Sequence, residues 1–381
     1  MRTVQPSIMI GSYGWDQDRL PGDEFELRIA ALHRLMDAQG LKAMFIYGDA
    51  SEHSALAFFS NFVPRLRWGM ALLPRQGDAR LLASMSSRDV PAMKLMTWIP
   101  DLVSGWNWES AFDPWLARLS ADQPIDIGTV GFDLMRPTLF QSIVRSLGDR
   151  FRLQEQDAAV AGVRAMRPRE LSQIREASKV VQAAAAAFVG AWRGGMGVEA
   201  AALEAERTGR LMAAQDVRTL ASFDRGRTLA PFRGSFEPKS DPLVGYIAVK
   251  HMGYWAEMFV SAAERATDVQ QRAQAGLAAV LRSARPGIAA SALHAQAVAE
   301  LAPYLLHPVL SGSVGQRIGL SLDEGGELKR DSRHALAPGD VYGLHVGAYD
   351  PASGGALTSA MIAITATGSD LIHLSPAPRS P

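Results

Sequence analysis

One histidine in the last third of the chain has the position and chemistry of a proton-transfer group. His345 lies in a predicted strand, residues 342–347, where side-chain alternation places it on the same face as Gly343 and Gly347. The two glycines leave space beside the imidazole, which titrates near neutral pH. This setting favours proton transfer or substrate binding, and a core histidine held by a backbone carbonyl is the alternative.

A carboxylate in an apolar run is the second candidate for acid–base chemistry. Glu257 is flanked by Trp255, Met258 and Phe259. Apolar surroundings raise the pKa of a carboxyl group unless a cation or a hydrogen-bond donor lies near it. Glu257 is therefore a candidate general acid or base, and a salt bridge on the surface of a strand is the alternative.

The composition limits the possible partners. The 381 residues include 39 Lys and Arg and 39 Asp and Glu, so no net field attracts nucleic acid or an anionic membrane. The lack of cysteine excludes disulfides, thiolate metal ligands and a cysteine nucleophile. No apolar run reaches the roughly 18 residues of a membrane span, and residues 1–16 lack the apolar core of a signal peptide. We therefore expect a cytoplasmic protein whose partner is a small-molecule substrate, with no nucleic acid and no membrane.

The elements of the first part of the chain alternate between helix and strand. Residues 23–39 have helical spacing of apolar positions, and Gly40 follows as a stop signal. Strands are predicted at residues 42–48, 68–73, 79–84 and 129–133. This order is typical of an α/β layered domain.

The second part begins with a proline-initiated helix. Pro168 suits the first helical position, and the helix is predicted to reach about residue 192. Further helices are predicted at residues 198–214, 268–283 and 290–301, and strands at residues 243–252, 254–261, 341–349 and 357–365. The change of pattern between the two parts predicts two domains, residues 1–155 and 156–381.

Five short motifs in this second part occur in a specific order. They are Arg167-Pro168-x-Glu170-Leu171, Gly253-Tyr254, Arg285-Pro286-Gly287, Gly315-x-x-Ile318-Gly319-Leu320 and Leu336-x-Pro338-Gly339-Asp340-Val341. Each motif alone is common in the turns of unrelated proteins. In this order and spacing they resemble the pita-bread family of creatinase, prolidase and methionine aminopeptidase. The resemblance implies an α/β (α+β) protein with a C-terminal pita-bread catalytic domain and a smaller three-layer α/β N-terminal domain like that of creatinase.

The resemblance also locates five positions at which metal-bearing members carry two Asp, one His and two Glu. In chain order these positions hold Tyr246, Glu257, Gln316, His345 and Ser359. Hard divalent ions need carboxylates and imidazoles that converge on one point, and this set offers one of each. We therefore predict no metal and no other cofactor. All five positions remain polar, which favours a pocket that still binds something polar, because an unpaired buried polar atom costs about 1–3 kcal/mol.

Creatinase is the precedent in this family for hydrolysis without metal. The resemblance therefore implies a metal-independent, creatinase-like hydrolase that acts on a C–N or amide-type bond of a small polar metabolite. The catalytic histidine of creatinase falls in a segment with no histidine here, between His53 and His251, so the mechanism does not transfer directly. A metal-free lyase that abstracts a proton and a non-catalytic protein that binds a ligand or partner are the alternatives.

Candidate roles follow for ten residues. Glu257 and His345 are expected on facing strands of one pocket, as a base and its orienting partner, and Tyr246 is the third catalytic candidate. The candidate substrate-binding residues are Gln316, Arg317, Ser359, His307, Phe62, Arg65 and Arg67. The last three lie where creatinase-like dimers extend an aromatic residue and an arginine into the neighbouring site, so the resemblance also implies a homodimer.

Overall fold

The computed structural model describes residues 14–64, 67–105, 108–119, 124–164, 167–232, 234 and 240–376. The chain divides into two compact units, Met1–Ala165 and Met166–Pro381. This division falls after the boundary predicted at residue 155. Among the residues described, no helix combines the length and the apolar character that crossing a bilayer requires.

The first unit contains a mixed six-stranded sheet in the order β4-β3-β2-β1-β5-β6. Its strands are β1 Ala43–Asp49, β2 Trp68–Pro74, β3 Arg80–Ala83, β4 Leu102–Ser104, β5 Ile125–Val130 and β6 Phe151–Glu155. Strand β2 is antiparallel to β1 and β3, whereas the pairs β3–β4, β1–β5 and β5–β6 are parallel. The central strand β1 is almost continuously buried, as expected for a strand covered on both faces.

Helices pack with this sheet in the first unit. They are α1 Gly22–Gln39, α2 Ser54–Ser60, α3 Val90–Met93, α4 Trp108–Leu116, α5 Pro137–Leu147 and α6 Asp157–Val163. The predicted helix at residues 23–39 is confirmed, and Gly40 ends it in the left-handed conformation at φ 71°. The strand predicted at residues 129–133 was placed too late, because Gly131 turns the chain at φ 72° and its N–H binds the Asp157 carboxylate at 2.8 Å.

Four long helices belong to the second unit. They are α7 Pro168–Arg193, α8 Val198–Leu211, α9 Asp268–Ser283 and α10 Ala290–Leu301. Helix α9 begins with a capping box in which the Thr267 hydroxyl accepts from the Gln270 N–H and the Gln270 side chain accepts from the Thr267 N–H. The predicted bounds of α9 and α10 are confirmed, whereas α8 ends at Leu211 and not at residue 214.

The strands of the second unit form two antiparallel sheets, β7-β8-β9 and β10-β11-β12-β13. They are β7 Asp216–Ala221, β8 Leu243–His251, β9 Tyr254–Ala262, β10 Gly315–Arg317, β11 Val341–Asp350, β12 Gly354–Ile364 and β13 Ser369–Leu374. Helices α7 and α8 pack on the first sheet, and α9 packs on β11 and β12 of the second, where a cluster of buried apolar residues lies. The sequence did not predict β13.

Two serine side chains join the sheets where β9 packs against β12. The Ser359 hydroxyl accepts from the Phe259 N–H at 2.8 Å and donates to the Phe259 carbonyl at 3.2 Å. Likewise, the Ser261 hydroxyl donates to the Leu357 carbonyl at 2.8 Å and accepts from its N–H at 2.7 Å. These contacts hold the two sheets around the cavity that contains the candidate site.

Candidate active site

A cavity of about 510 Å³ in the second unit collects residues from both sheets. Strands β8, β9, β10 and β11 contribute Tyr246, Glu257, Gln316 and His345, respectively. Thus four of the five positions that the sequence singled out line one cavity. The remaining lining consists of the polar residues Ser311, Ser313 and Glu327 and the apolar residues Leu220, Leu229, Phe259, Val309 and Leu310.

Tyr246 and Glu257 are joined through the β8–β9 hairpin. In its register Tyr246 lies opposite Phe259 and Ala248 lies opposite Glu257, so the two polar side chains are diagonal neighbours on one face. The Tyr246 hydroxyl donates to Glu257 Oε2 at 2.7 Å. Burial and the negative charge of Glu257 hold the pKa of Tyr246 well above its usual value. Tyr246 is therefore protonated and a hydrogen-bond donor near neutral pH, and its catalytic role stays a prediction.

Glu257 combines burial with an unused oxygen. Glu257 is only 3% exposed, and its Oε1 has no hydrogen-bond partner among the residues described. Burial raises the pKa of Glu257 to about 7, the Tyr246 hydrogen bond acts against this rise, and the charge of Asp323 adds to it. Space for the carboxylate comes from Gly343, where a Cβ atom would overlap Oε1.

His345 lies on β11, opposite Ser359 of β12, and is 6% exposed. Its ring meets the Phe259 ring edge to face, with centroids 5.3 Å apart. In the part of the chain that the structure describes, Nδ1 is buried without a hydrogen-bond partner. Burial lowers the pKa of His345 to about 4, so the imidazole is neutral near pH 7.

The predicted direct pairing of Glu257 with His345 is not formed. Between these two described side chains there is no hydrogen bond, because Glu257 bonds to Tyr246 through Oε2 and His345 Nδ1 is unpaired. The two groups share the cavity as separate polar walls. A water molecule or a substrate atom between Glu257 and His345 would contact both side chains.

Gln316 and Arg317 are neighbours on β10 and take different directions. Gln316 lines the cavity, and its Nε2 donates a long hydrogen bond of 3.4 Å to the Leu322 carbonyl. The Arg317 guanidinium donates to the Glu324 carbonyl at 3.2 Å and lies 3.7 Å from the Asp340 carboxylate. Arg317 is absent from the described lining of the cavity, contrary to its predicted contact with substrate.

Two other residues predicted to bind substrate have their polar atoms occupied by backbone. The Ser359 hydroxyl is bound on both sides by Phe259. His307 Nδ1 accepts from the Val309 N–H at 3.2 Å, so Nε2 carries the proton and donates to the Gly226 carbonyl at 2.7 Å. Neither residue belongs to the described cavity lining. The structure thus gives both side chains a structural role.

The residues predicted to reach a neighbouring subunit belong to the first unit. Phe62 was predicted to project towards a partner. It is instead fully buried, with its ring against Gly69. Arg65 lies outside the described residues, and Arg67 is exposed. The homodimer stays a prediction.

His373 is a site residue that the sequence analysis missed. It lies on β13, and its Nε2 donates to the Glu257 carbonyl at 2.9 Å. Its Nδ1 accepts from the Ser178 hydroxyl of α7 at 2.7 Å. The only sequence signal was a short run after Gly368, too brief to separate an edge strand from a loop.

The donor set does not fit the dinuclear metal centre of metal-bearing relatives. Of the five predicted positions, only Glu257 and His345 carry a carboxylate or an imidazole, and Glu257 is bonded to Tyr246. Within the described ranges, no three His, Cys, Asp or Glu residues are grouped so that they could hold a metal ion. Two divalent ions need several such groups that converge.

The model of metallopeptidase family M24 matches residues 172–366. The chain belongs to this family. A comparison with curated protein sequences gives no significant match. The match covers the unit that contains the cavity and confirms the predicted creatinase, prolidase and methionine aminopeptidase family.

Solved structures extend the likeness of this M24 protein to the first unit. The prolidase from Pyrococcus horikoshii OT3 aligns with a TM-score of 0.76 and 17% identity, over 92% of this chain and 99% of that chain. The X-Pro aminopeptidase from Thermotoga maritima MSB8 aligns with a TM-score of 0.77 and 18% identity, over 92% of this chain and 99% of that chain. The N-terminal domain of the FACT complex subunit SPT16 from Cicer arietinum aligns with a TM-score of 0.65 and 14% identity, over 92% of this chain and 96% of that chain. Identities this low concern the fold alone, and they confirm the predicted pita-bread architecture with its N-terminal domain.

Proposed function

We propose that this M24 protein hydrolyses a C–N or amide-type bond of a small polar molecule with protein acid–base groups in place of a metal centre. The observation that carries the proposal is the free Oε1 of Glu257, which is buried in the cavity on a carboxyl group whose pKa is about 7. A group of this pKa is present in both protonation states near neutral pH, as general acid–base catalysis requires. Membership of a peptidase family supports the hydrolase class.

Glu257 is the proposed proton carrier. Its ionised form accepts a proton from a water molecule at Oε1 while the water oxygen attacks the substrate carbon. The same proton then passes to the leaving nitrogen, so that the products are an acid and an amine. The Tyr246 hydroxyl keeps Oε2 occupied and fixes the carboxylate orientation.

His345, on β11 of the second sheet, is the proposed orienting group. Because its imidazole is neutral, one ring nitrogen accepts a hydrogen bond and the other donates one. Such a group can hold the attacking water or the substrate carbonyl without adding charge. Gln316 supplies an amide to the same cavity as a further substrate contact.

The test is an amine-release assay on protein dialysed against EDTA. The substrates are X-Pro dipeptides, the corresponding dipeptide amides, and small amides and amidines, and products are identified by mass spectrometry. We expect turnover in chelator that Glu257→Gln abolishes. Turnover that requires added Mn²⁺ or Co²⁺ would contradict the metal-free mechanism. Ligand binding without turnover of any compound would replace the hydrolase with a binding protein.

A further inference from the structure

The carboxylates Glu257 and Glu327 make the described lining of the cavity acidic. Neither lysine nor arginine occurs in that described lining. Nearby Asp323 adds negative potential, since its charge contributes to the raised pKa of Glu257. In the described lining, a ligand that enters therefore meets acidic side chains and no lysine or arginine.

Three cations that are close in sequence to lining residues have partners of their own. Lys329 pairs with Glu327 at 2.7 Å, and both side chains are partly exposed. Arg317 is directed to Asp340 and the Glu324 carbonyl. Arg218, on the strand that also contributes Leu220, stacks over Trp255 with its guanidinium 4.6 Å from the ring centroid. None of these three belongs to the described lining.

Two hydroxyl donors of the cavity are already used by other groups. The Tyr246 hydroxyl is used by Glu257, and the Ser313 hydroxyl donates to the Gly315 carbonyl at 2.8 Å. A ligand carboxylate beside Glu257 Oε1 would find no lysine or arginine in the described lining to balance either charge. Burial of an unpaired anion is strongly unfavourable.

A cation finds complementary groups in the same space. Glu257 Oε1 is an unused acceptor, and the rings of Tyr246 and Phe259, with centroids 4.7 Å apart, offer aromatic surface. Val309 and Leu310 give an apolar wall for the uncharged part of a ligand. The negative charge, the free acceptor and the apolar wall therefore all favour a ligand with a cationic group and an apolar part.

We propose that this cavity selects a small organic cation, an ammonium or amidinium compound with an apolar portion and no carboxylate group. The inference rests on the proposed function only in treating the cavity as the substrate site. It narrows the substrate to amides or amidines that bear a positive charge, and it excludes dipeptides with a free C-terminal carboxylate.

The test uses a set of ligands of nearly equal shape and different charge. Benzamidine is a cation, benzamide is neutral, benzoate is an anion, and 4-amidinobenzoate adds a carboxylate to the cation. Calorimetric titration of the full-length protein should give a Kd for benzamidine about tenfold or more below that for benzamide. Benzoate should not bind, and 4-amidinobenzoate should bind about tenfold more weakly than benzamidine. Equal affinity for benzamidine and either carboxylate compound, or no binding of benzamidine, would overturn the proposal.

Two charge variants assign the selectivity to the cavity. Glu327→Gln should weaken the binding of benzamidine several-fold and leave the affinity for benzamide unchanged. The reason is that it removes negative charge from the lining and keeps Glu257. The control Glu204→Gln makes the same change in net charge at a partly exposed side chain of α8 that pairs with Arg207. It should bind both compounds as the wild type does, and a loss of benzamidine equal to that of Glu327→Gln would contradict the inference.

The two proposals fail in distinguishable ways. Selective binding of benzamidine together with no hydrolysis of any compound would leave the cation site standing and remove the hydrolase. Hydrolysis of free X-Pro dipeptides in chelator would do the reverse.

Discussion

The His373 imidazole donates a hydrogen bond to the backbone carbonyl of Glu257, with 2.9 Å between Nε2 and O. The other ring nitrogen accepts from Ser178, which in turn accepts from the Gln182 amide at 3.1 Å. This chain of side chains connects α7 through β13 to the strand that carries the buried carboxylate. His373 therefore positions the backbone of Glu257 from behind the cavity, whereas Tyr246 positions its carboxylate from within.

Glu257→Gln should lower turnover by about 10² or more, because the amide cannot accept and return a proton. The fold should survive, since the amide oxygen can still accept from Tyr246. Steady-state kinetics and a melting curve measure the two effects, with Glu204→Gln as the control. Wild-type turnover in the glutamine variant would remove Glu257 from the mechanism.

His345→Ala should also lower turnover by about 10² or more, because the imidazole that orients the reacting group is removed. The double variant with Glu257→Gln should lose little beyond the worse single variant, as expected for groups that act as a unit. A fully multiplicative loss would instead mean that the two residues act independently.

Gly343→Ala should displace the Glu257 carboxylate and lower turnover at least about tenfold, because the new Cβ overlaps only the end of that side chain. Gly347→Ala, two residues along the same strand, is the matched comparison. Its Cβ would overlap the backbone carbonyl of Ala356, so it should lower the Tm. Unchanged kinetics in Gly343→Ala would show that the carboxylate moves without consequence.

Acid should destabilise the protein through two buried histidines. Burial lowers the pKa of both His345 and His373 to about 4, so the unfolded chain binds protons between pH 6.5 and 4 that the folded chain does not. Glu257 acts in the opposite direction, because its raised pKa gives stability that is present below pH 4.5 and lost as the pH rises through about 7. Two histidines outweigh one carboxyl, so the Tm should fall on acidification from pH 6.5 to 4.

His373→Gln tests this balance, because the amide can donate to the Glu257 carbonyl and does not titrate. The variant should lose less stability over the same pH range, by roughly 3 kcal/mol at most. The Tm of both proteins is measured by calorimetry from pH 7 to 4. The same pH dependence in variant and wild type would contradict the assignment to His373.

Purified protein should contain far less than one transition-metal ion per chain and should keep its Tm in EDTA. The reason is the donor set, in which Tyr246, Gln316 and Ser359 stand at predicted ligand positions. Elemental analysis checks the content. Two Mn, Co or Zn ions per chain would mean that other residues form the centre.

Local sequence signals located the long elements of the second unit well. The capping residues of α9 and the glycine turn before Tyr254 act within a few residues, so their effects can be read directly from the chain. The positions of Tyr246, Glu257, Gln316 and His345 followed from motif spacing, and they meet in one cavity.

The errors concern interactions between residues far apart in sequence. Ser359 and His307 are polar in type, but their partners, the Phe259 and Gly226 backbone groups, become neighbours only in the folded chain. Arg317 could have been excluded, because adjacent residues of a strand face opposite sides and Gln316 was already assigned to the cavity. His373 required a strand too short to predict.

The serine at position 359 has a consequence for how this M24 protein keeps its shape. The resemblance places a metal-binding glutamate of metal-bearing relatives at this position. In this chain the Ser359 hydroxyl reaches the Phe259 backbone directly. At this position a side chain of the protein itself therefore joins β12 to β9, so this contact forms as the chain folds.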